Sequence, residues 1–165
     1  MNLYNQLLQR KKQNKNSFIL KLLDPSDKIY NDCLTLIAQI EKRIIFVEKF
    51  EVFNQLKQTL NLERGLKKGL NETETALKYS TLKILFIAKN LENLDTRYLI
   101  LESWMQRVPV FFVSSKENLA KLLSANLKRC TSGGIQTFNN RSQKFLKTLA
   151  EYTDLLYGQE VANNG

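Results

Sequence analysis

Two short apolar runs, Leu82-Lys83-Ile84-Leu85-Phe86-Ile87-Ala88 and Pro109-Val110-Phe111-Phe112-Val113, constrain this chain more than anything else in it. Each has the length of a strand and falls far short of the roughly 20 apolar residues a bilayer-spanning helix needs. A strand apolar at consecutive positions shows apolar side chains to both faces, so each run reads as a buried strand covered on both sides. Between them, Leu94, Tyr98, Leu101 and Met105 recur at helical spacing over 94–107, with Trp104 and Met105 read as packing residues. Ser114-Ser115 caps a short helix over 116–123, and Thr131 to Phe138, with Gly133-Gly134, is a third strand or a turn followed by one. Phe145, Leu149, Tyr152 and Leu156 mark an amphipathic helix over 141–157. Elements alternating in this way imply a sheet with helices on both faces, an α/β sandwich.

Upstream, the pattern is helical. Ile29, Cys33, Ile37, Ile40, Ile44 and Val47 step by three and four residues, which predicts an amphipathic helix running to about Phe53. Its stripe is most simply core, although the same periodicity suits a face docked on a partner. Residues 56–68, with Leu60, Leu62, Gly65 and Leu66, carry no helical stripe and read as a linker ending in a short strand. At the N-terminus, Leu3, Tyr4, Leu7 and Leu8 have helical spacing and precede the basic stretch Arg10-Lys11-Lys12-Gln13-Asn14-Lys15-Asn16; no acidic residue precedes Asp24. This segment is expected to be a solvated, partly disordered extension, or, read functionally, an arm laid along phosphates. Asp24-Pro25-Ser26 is a break. The expected organisation is a basic helix and linker over 1–23, a helical extension over 24–60, one α/β domain over 61–158 and a disordered tail over 159–165.

The 25 Lys+Arg against 16 Asp+Glu give a formal charge of +9, which favours a polyanionic partner without naming it. The distribution says more: no Asp or Glu occurs from Asn118 to Ala150, where Lys121, Lys128, Arg129, Arg141, Lys144 and Lys147 are all basic. With no histidine, the commonest general base and metal ligand is missing, and Cys33 and Cys130 have no CxxC spacing, so neither a triad, a zinc site nor a disulfide framework is expected. The chain has no Walker-type loop, Ser132-Gly133-Gly134 is too generic to serve as one, and nothing places Glu63 and Glu72 together. No catalysis, cofactor, metal or membrane association is expected, and a cytoplasmic, reducing location fits best.

One stretch joins these threads: Lys67-Lys68-Gly69-Leu70-Asn71-Glu72-Thr73-Glu74-Thr75-Ala76-Leu77. A basic, strand-like entry leads through a glycine to a helix start, where free backbone amides attract phosphate and glycine lets a partner approach closely. Asn71 can donate and accept, whereas an ionised Glu72 only accepts, which suits the N–H edge of guanine. The plain reading is a helix start with Asn71 as N-cap and acids placed favourably in the first turn.

Gly69-Leu70-Asn71-Glu72, the strand Ile84 to Ala88, and Val108-Pro109-Val110-Phe111-Phe112-Val113-Ser114-Ser115-Lys116, in that order, resemble the kink-turn-binding superfamily. It includes archaeal ribosomal protein L-seven-Ae, box C/D and H/ACA snoRNP core proteins, RNase P subunits and the SECIS-binding protein. The resemblance covers residues 62–157. It implies a three-layer α/β/α sandwich with a mixed central sheet, and a non-catalytic protein that clamps an RNA internal loop with tandem sheared G·A pairs. Asn71 and Glu72 would contact guanine edges, and Lys67, Lys68 and Gly69 would approach the backbone. Lys116 sits in the family's Ser-Lys turn. In the loop 125–130, Leu127 would pack a protruding nucleotide, next to Lys128 and Arg129. The family often has Lys where Thr75 stands and Thr where Glu74 stands, so a cation is lost and an anion added near the RNA, with Lys78 a partial replacement. Residues 134–140, with Gln143 and Phe145, look most like the SECIS-binding protein, although that protein departs from Asn at position 71. The expected partners are structured RNA and other proteins of a ribonucleoprotein, with the ribosome among the candidates and a nucleolar location as the alternative. A different class remains open: an adaptor that has lost RNA and docks a protein through the helix beginning at Ile29.

Overall fold

The computed structural model describes residues 2–50, 65–89, 95–123, 128–138 and 143–158. Among these residues four strands form one mixed sheet in the order β1-β4-β2-β3, where β1 is Leu66–Lys68, β2 Ile84–Ala88, β3 Val110–Val113 and β4 Ser132–Ile135. β2 and β3 run parallel, joined through helix α5 (Arg97–Gln106), whereas β4 runs antiparallel to both β2 and β1. Apolar residues on both faces explain the inner position of β2, whose Ile84, Leu85, Phe86 and Ile87 are all buried. The other inner strand, β4, is nearly bare of side chains for a different reason. A Cβ on Gly133 would run into the Leu123 side chain and the Lys67 carbonyl, and one on Gly134 into Leu82 and the Ile84 carbonyl. The Gly133-Gly134 pair is therefore a strand, and its bareness lets neighbouring chain pack directly on both faces.

Helices α4 (Leu70–Lys78), α6 (Lys116–Leu122) and α7 (Gln143–Tyr157) complete the sandwich. Helix α7 is pinned to the parallel half of the sheet by two phenols: Tyr152 Oη donates to the Val110 carbonyl at 2.6 Å, and Tyr157 Oη to the Val108 carbonyl. Tyr152 also stacks on Phe111, ring centroids 4.5 Å apart. Among the described residues no helix is long and apolar enough to cross a membrane.

The N-terminal segment departs from the expected solvated extension. Helix α1 (Leu3–Lys11) continues into the basic stretch, and with α2 (Ile19–Leu22) and α3 (Lys28–Arg43) it forms part of the same core. Leu7 and Ile19 are completely buried, Tyr4 meets Trp104 edge-on, and Phe18 meets Tyr98 in the same way. The cause lies in α5, where every residue from Tyr98 to Met105 is buried, including Glu102 and Ser103. A helix apolar all round needs cover on all sides, and α2, α3 and α4 pack against it together. Lys11 supplies the counter-charge for Glu102, whose other oxygen accepts the Ile19 amide at 2.7 Å.

Helix α3 also ends earlier than its periodicity predicted, at Arg43 rather than near Phe53; residues 51–53 lie outside the described chain. From Ile44 the chain is extended, the Phe112 amide donates to the Ile45 carbonyl at 3.0 Å, and Phe46 bridges to Phe112. Ile44-Ile45-Phe46 suits a strand as well as a helix, and the edge of β3, which no other described strand pairs, decides in favour of extension. The α3 stripe Ile29, Cys33, Ile37 and Ile40 is buried within this chain, so the adaptor reading loses its docking face.

Candidate nucleic-acid interface

The turn from β1 into α4 is built on Gly69. This residue, not Asn71, is the N-cap of α4, and its φ of 92° is one that side-chain-bearing residues rarely adopt. Its amide donates to the Ser132 carbonyl at 3.0 Å, fastening the turn to β4, and its carbonyl accepts both the amide of Thr73 and the Thr73 hydroxyl, the latter at 2.7 Å. A Cβ at position 69 would meet nothing within 4 Å, so the glycine serves the backbone angle and leaves the space above the turn open. Asn71 and Glu72 fall two and three residues into the helix and are exposed.

Their roles differ. One oxygen of Glu72 accepts the Lys68 amide at 3.1 Å, which holds the carboxylate against the helix start and satisfies an amide there. Asn71 does no capping: its carbonyl accepts the Thr75 hydroxyl at 2.9 Å, and among the described residues its side-chain amide has no hydrogen-bond partner. Lys67, Asn71, Glu72 and Thr75 line one open cleft of about 400 Å³, together with Ala76, Tyr79, Thr81 and Gln136. Four of the residues singled out from sequence thus converge, and Lys68 and Gly69 frame the mouth.

The lower part of the cleft was not legible in the sequence. Tyr79, 65% exposed, stands on the helix face of Asn71 and Thr75, eight and four residues on, and this periodicity is the signal that points to it. Gln136 arrives through the sheet: Leu66 pairs with Ile135, and the Gln136 amide donates to the Gly65 carbonyl at 2.5 Å. Only the strand register reveals that neighbour.

Other expected residues lie beside the cleft or away from it. Lys116 opens α6 after the Ser115 cap, and its carbonyl accepts the Cys130 amide at 3.0 Å, which joins the loop 128–130 to the start of that helix. Arg129 pairs with Glu117 at 3.0 Å on the surface, and Lys128 is exposed. Cys130 connects this group to the cleft mouth: burial raises its thiol pKa, the charge of Lys68 lowers it and that of Glu72 raises it again. Leu127 lies outside the described residues. Lys78 does not line the cleft; its ammonium stands 5.5 Å from the centroid of Phe18, on the side of α4 that meets the N-terminal segment. Glu74, expected to place an anion near the ligand, is turned away as well. It accepts the Tyr98 hydroxyl at 2.5 Å, and burial, followed by the bond to Glu74, raises the Tyr98 pKa. Each residue turns the helix by about 100°, so adjacent positions such as 74 and 75 belong to different surfaces.

The arrangement can hold a polar, partly anionic, flat-edged ligand: cations and a helix start for phosphate, an amide and a carboxylate for base edges, and an exposed phenol ring for stacking. A family model described as the ribosomal protein L7Ae/L30e/S12e/Gadd45 family matches residues 51–146, and no curated protein gives a match. The matched span takes in the whole sheet, α4, α5 and α6, and leaves α1 to α3 outside it. With more than half of its length matched and an α/β sandwich of the expected kind, the chain belongs to the ribosomal protein L7Ae/L30e/S12e/Gadd45 family.

Proposed function

We propose that this chain is a non-catalytic RNA-binding protein that clamps a kink-turn, an internal loop with tandem G·A pairs, within a cytoplasmic ribonucleoprotein. Family membership supports RNA binding in a ribonucleoprotein. The observation that carries the finer reading is the state of the Asn71-Glu72 pair. Glu72 is held by the Lys68 amide through one oxygen, which leaves the other for the N–H groups of a guanine, while the Asn71 side chain is unengaged among the described residues and lines the same cleft. A carboxylate only accepts and a carboxamide does both, so the pair reads a purine edge that offers donors next to an acceptor. In double-stranded RNA the guanine N–H edge is taken up by base pairing, whereas an irregular loop exposes it. Lys67, Lys68 and Lys116 supply sequence-independent attraction to phosphates.

Two titrations test this reading: full-length protein against an RNA with tandem G·A pairs and against a fully paired control, repeated with Glu72→Lys. The parent prefers the kinked RNA, and Glu72→Lys, which replaces an acceptor with a donor, binds both alike. Equal preference in parent and variant removes Glu72 from the recognition; no preference in the parent removes the kink-turn reading. Crosslinking in the source cells then selects among ribosomal RNA, a small nucleolar or RNase P RNA, and a SECIS hairpin.

A further inference from the structure

The N-terminal segment and the far end of α4 border a second hollow, open to solvent and of about 310 Å³, lined chiefly by Leu8, Lys11, Lys12, Lys15, Lys78 and Ser80. Four lysines around so small a space repel one another unless an anion lies among them. Lys11 is balanced from beneath by Glu102, and Lys78 rests over Phe18. Lys12 and Lys15 are exposed, and among the described residues neither has a carboxylate partner. The absence of any acid before Asp24 keeps the rim uniformly positive.

The position of the hollow identifies its ligand. Lys78 and Ser80 line it, while Tyr79 and Thr81 line the Asn71-Glu72 cleft, so alternate residues of one tight turn divide the two. Ser80, at φ 58°, makes that turn, and successive Cα atoms are only about 3.8 Å apart. A ligand seated in the cleft and leaving it past Tyr79 meets the lysines next. Lysine has three donors and no acceptor, and it bonds to phosphate oxygens without reading a base.

We propose that this hollow is a phosphate-binding subsite for the RNA stem flanking the kinked loop, through which the N-terminal helices widen the RNA footprint beyond the family-matched residues. The proposal rests on the RNA-clamping reading above. It is tested with full-length protein and two kinked RNAs, one with the complete flanking stem and one with that stem cut to a few pairs. Lys12→Gln/Lys15→Gln is compared with the parent and with Lys28→Gln/Lys42→Gln, an equal loss of charge on α3. All four lysines are exposed, and melting curves verify that each variant is folded.

With the complete stem, Lys12→Gln/Lys15→Gln binds several-fold more weakly than the parent, and its log Kd depends on log salt with a slope shallower by about 1 to 2. On the cut stem it equals the parent, and the α3 pair changes little on either RNA. Unchanged binding, an equal loss on both RNAs, or an equal loss from the α3 pair overturns the subsite while the parent's preference for kinked RNA stands. A parent without that preference overturns the RNA-clamping reading first, and the subsite with it.

Discussion

Glu72 and Glu102 lie on neighbouring helices of one domain, and their surroundings divide the molecule into a part that can still take a ligand and a part that cannot. Glu102 is 0% exposed; one of its oxygens takes the Lys11 ammonium and the other the Ile19 amide. Nothing is left over, and the three groups join α1, α2 and α5 into one unit. Glu72 stands exposed, fixed through one oxygen to its own helix start. A buried charge must be matched where it lies, whereas an exposed one that is held in place by its own backbone is ready for a partner. Location in the fold, more than residue type, therefore assigns structural work to one glutamate and recognition to the other.

The largest way to break the comparison is to remove the partner of the buried member. Lys11→Met leaves the Glu102 carboxylate inside the protein with one amide donor, and stability falls by about 3–5 kcal/mol in denaturant unfolding. Adding Glu102→Leu removes the stranded charge and recovers most of that loss, less about 1–3 kcal/mol for the Ile19 amide, which then lacks an acceptor. Measured on the folded fraction with a kinked RNA whose stem is too short to reach the lysines of the second hollow, neither variant changes the preference for kinked over paired RNA. If Lys11→Met melts with the parent, Glu102 is not the internal anchor, and the division fails at its structural end.

The same division sets the response to alkali. Burial holds the Tyr152 hydroxyl up at a pKa of about 12 and raises Tyr157 well above its ordinary value, and burial with the bond to Glu74 raises Tyr98. The unfolded chain releases these protons near pH 10, while the folded chain keeps them. Unfolding therefore releases protons that the native state holds, and stability, fully present below pH 10, is lost as pH rises toward 12, by at most about 1.4 kcal/mol per pH unit for each such group. Parallel denaturant titrations across this range, with tyrosinate absorbance as a second probe, check the slope. Tyr152→Phe should flatten it, because that phenol bonds to Val110 and accepts from Ile45 at the centre of the α7 anchor.

These internal anchors also show where sequence reading reaches its limit. The continuous apolar runs foretold β2 and β3, since their strand length and their β-branched and aromatic residues suit a strand covered on both faces. Gly69 and the residues after it marked the helix start and three cleft-lining side chains, because a glycine turn and helical spacing are local properties. Glu102 and Lys11 are 91 residues apart, and no local pattern links them. The apolar circumference of α5 did signal cover on every side, but not that the N-terminal segment provides it. Lys78 was assigned to the cleft by its spacing of one turn from Thr75 and Glu74 by comparison with the resembling superfamily, and their partners Phe18 and Tyr98 draw both elsewhere. Gln136 required a strand register that depends on the two bare glycines of β4.

The smallest effect sharpens the open side of the comparison. Thr75 lines the cleft one turn beyond Asn71, and its hydroxyl bonds back to the Asn71 carbonyl, so it offers the ligand little. Relatives in the resembling superfamily often have lysine there. Thr75→Lys places an ammonium on the cleft wall at an exposed helix position, with a slightly better helix former and one back-bond fewer, so stability shifts by no more than about 0.5 kcal/mol. One added phosphate contact should tighten RNA binding several-fold and steepen the salt dependence by about 1. Both changes should appear equally on kinked RNA and on any paired RNA the protein still binds, because a point charge does not read bases. Tighter binding confined to the kinked RNA would mean that position 75 approaches a base edge, and the boundary between positioning and reading would then lie one turn further along α4 than the Asn71-Glu72 pair.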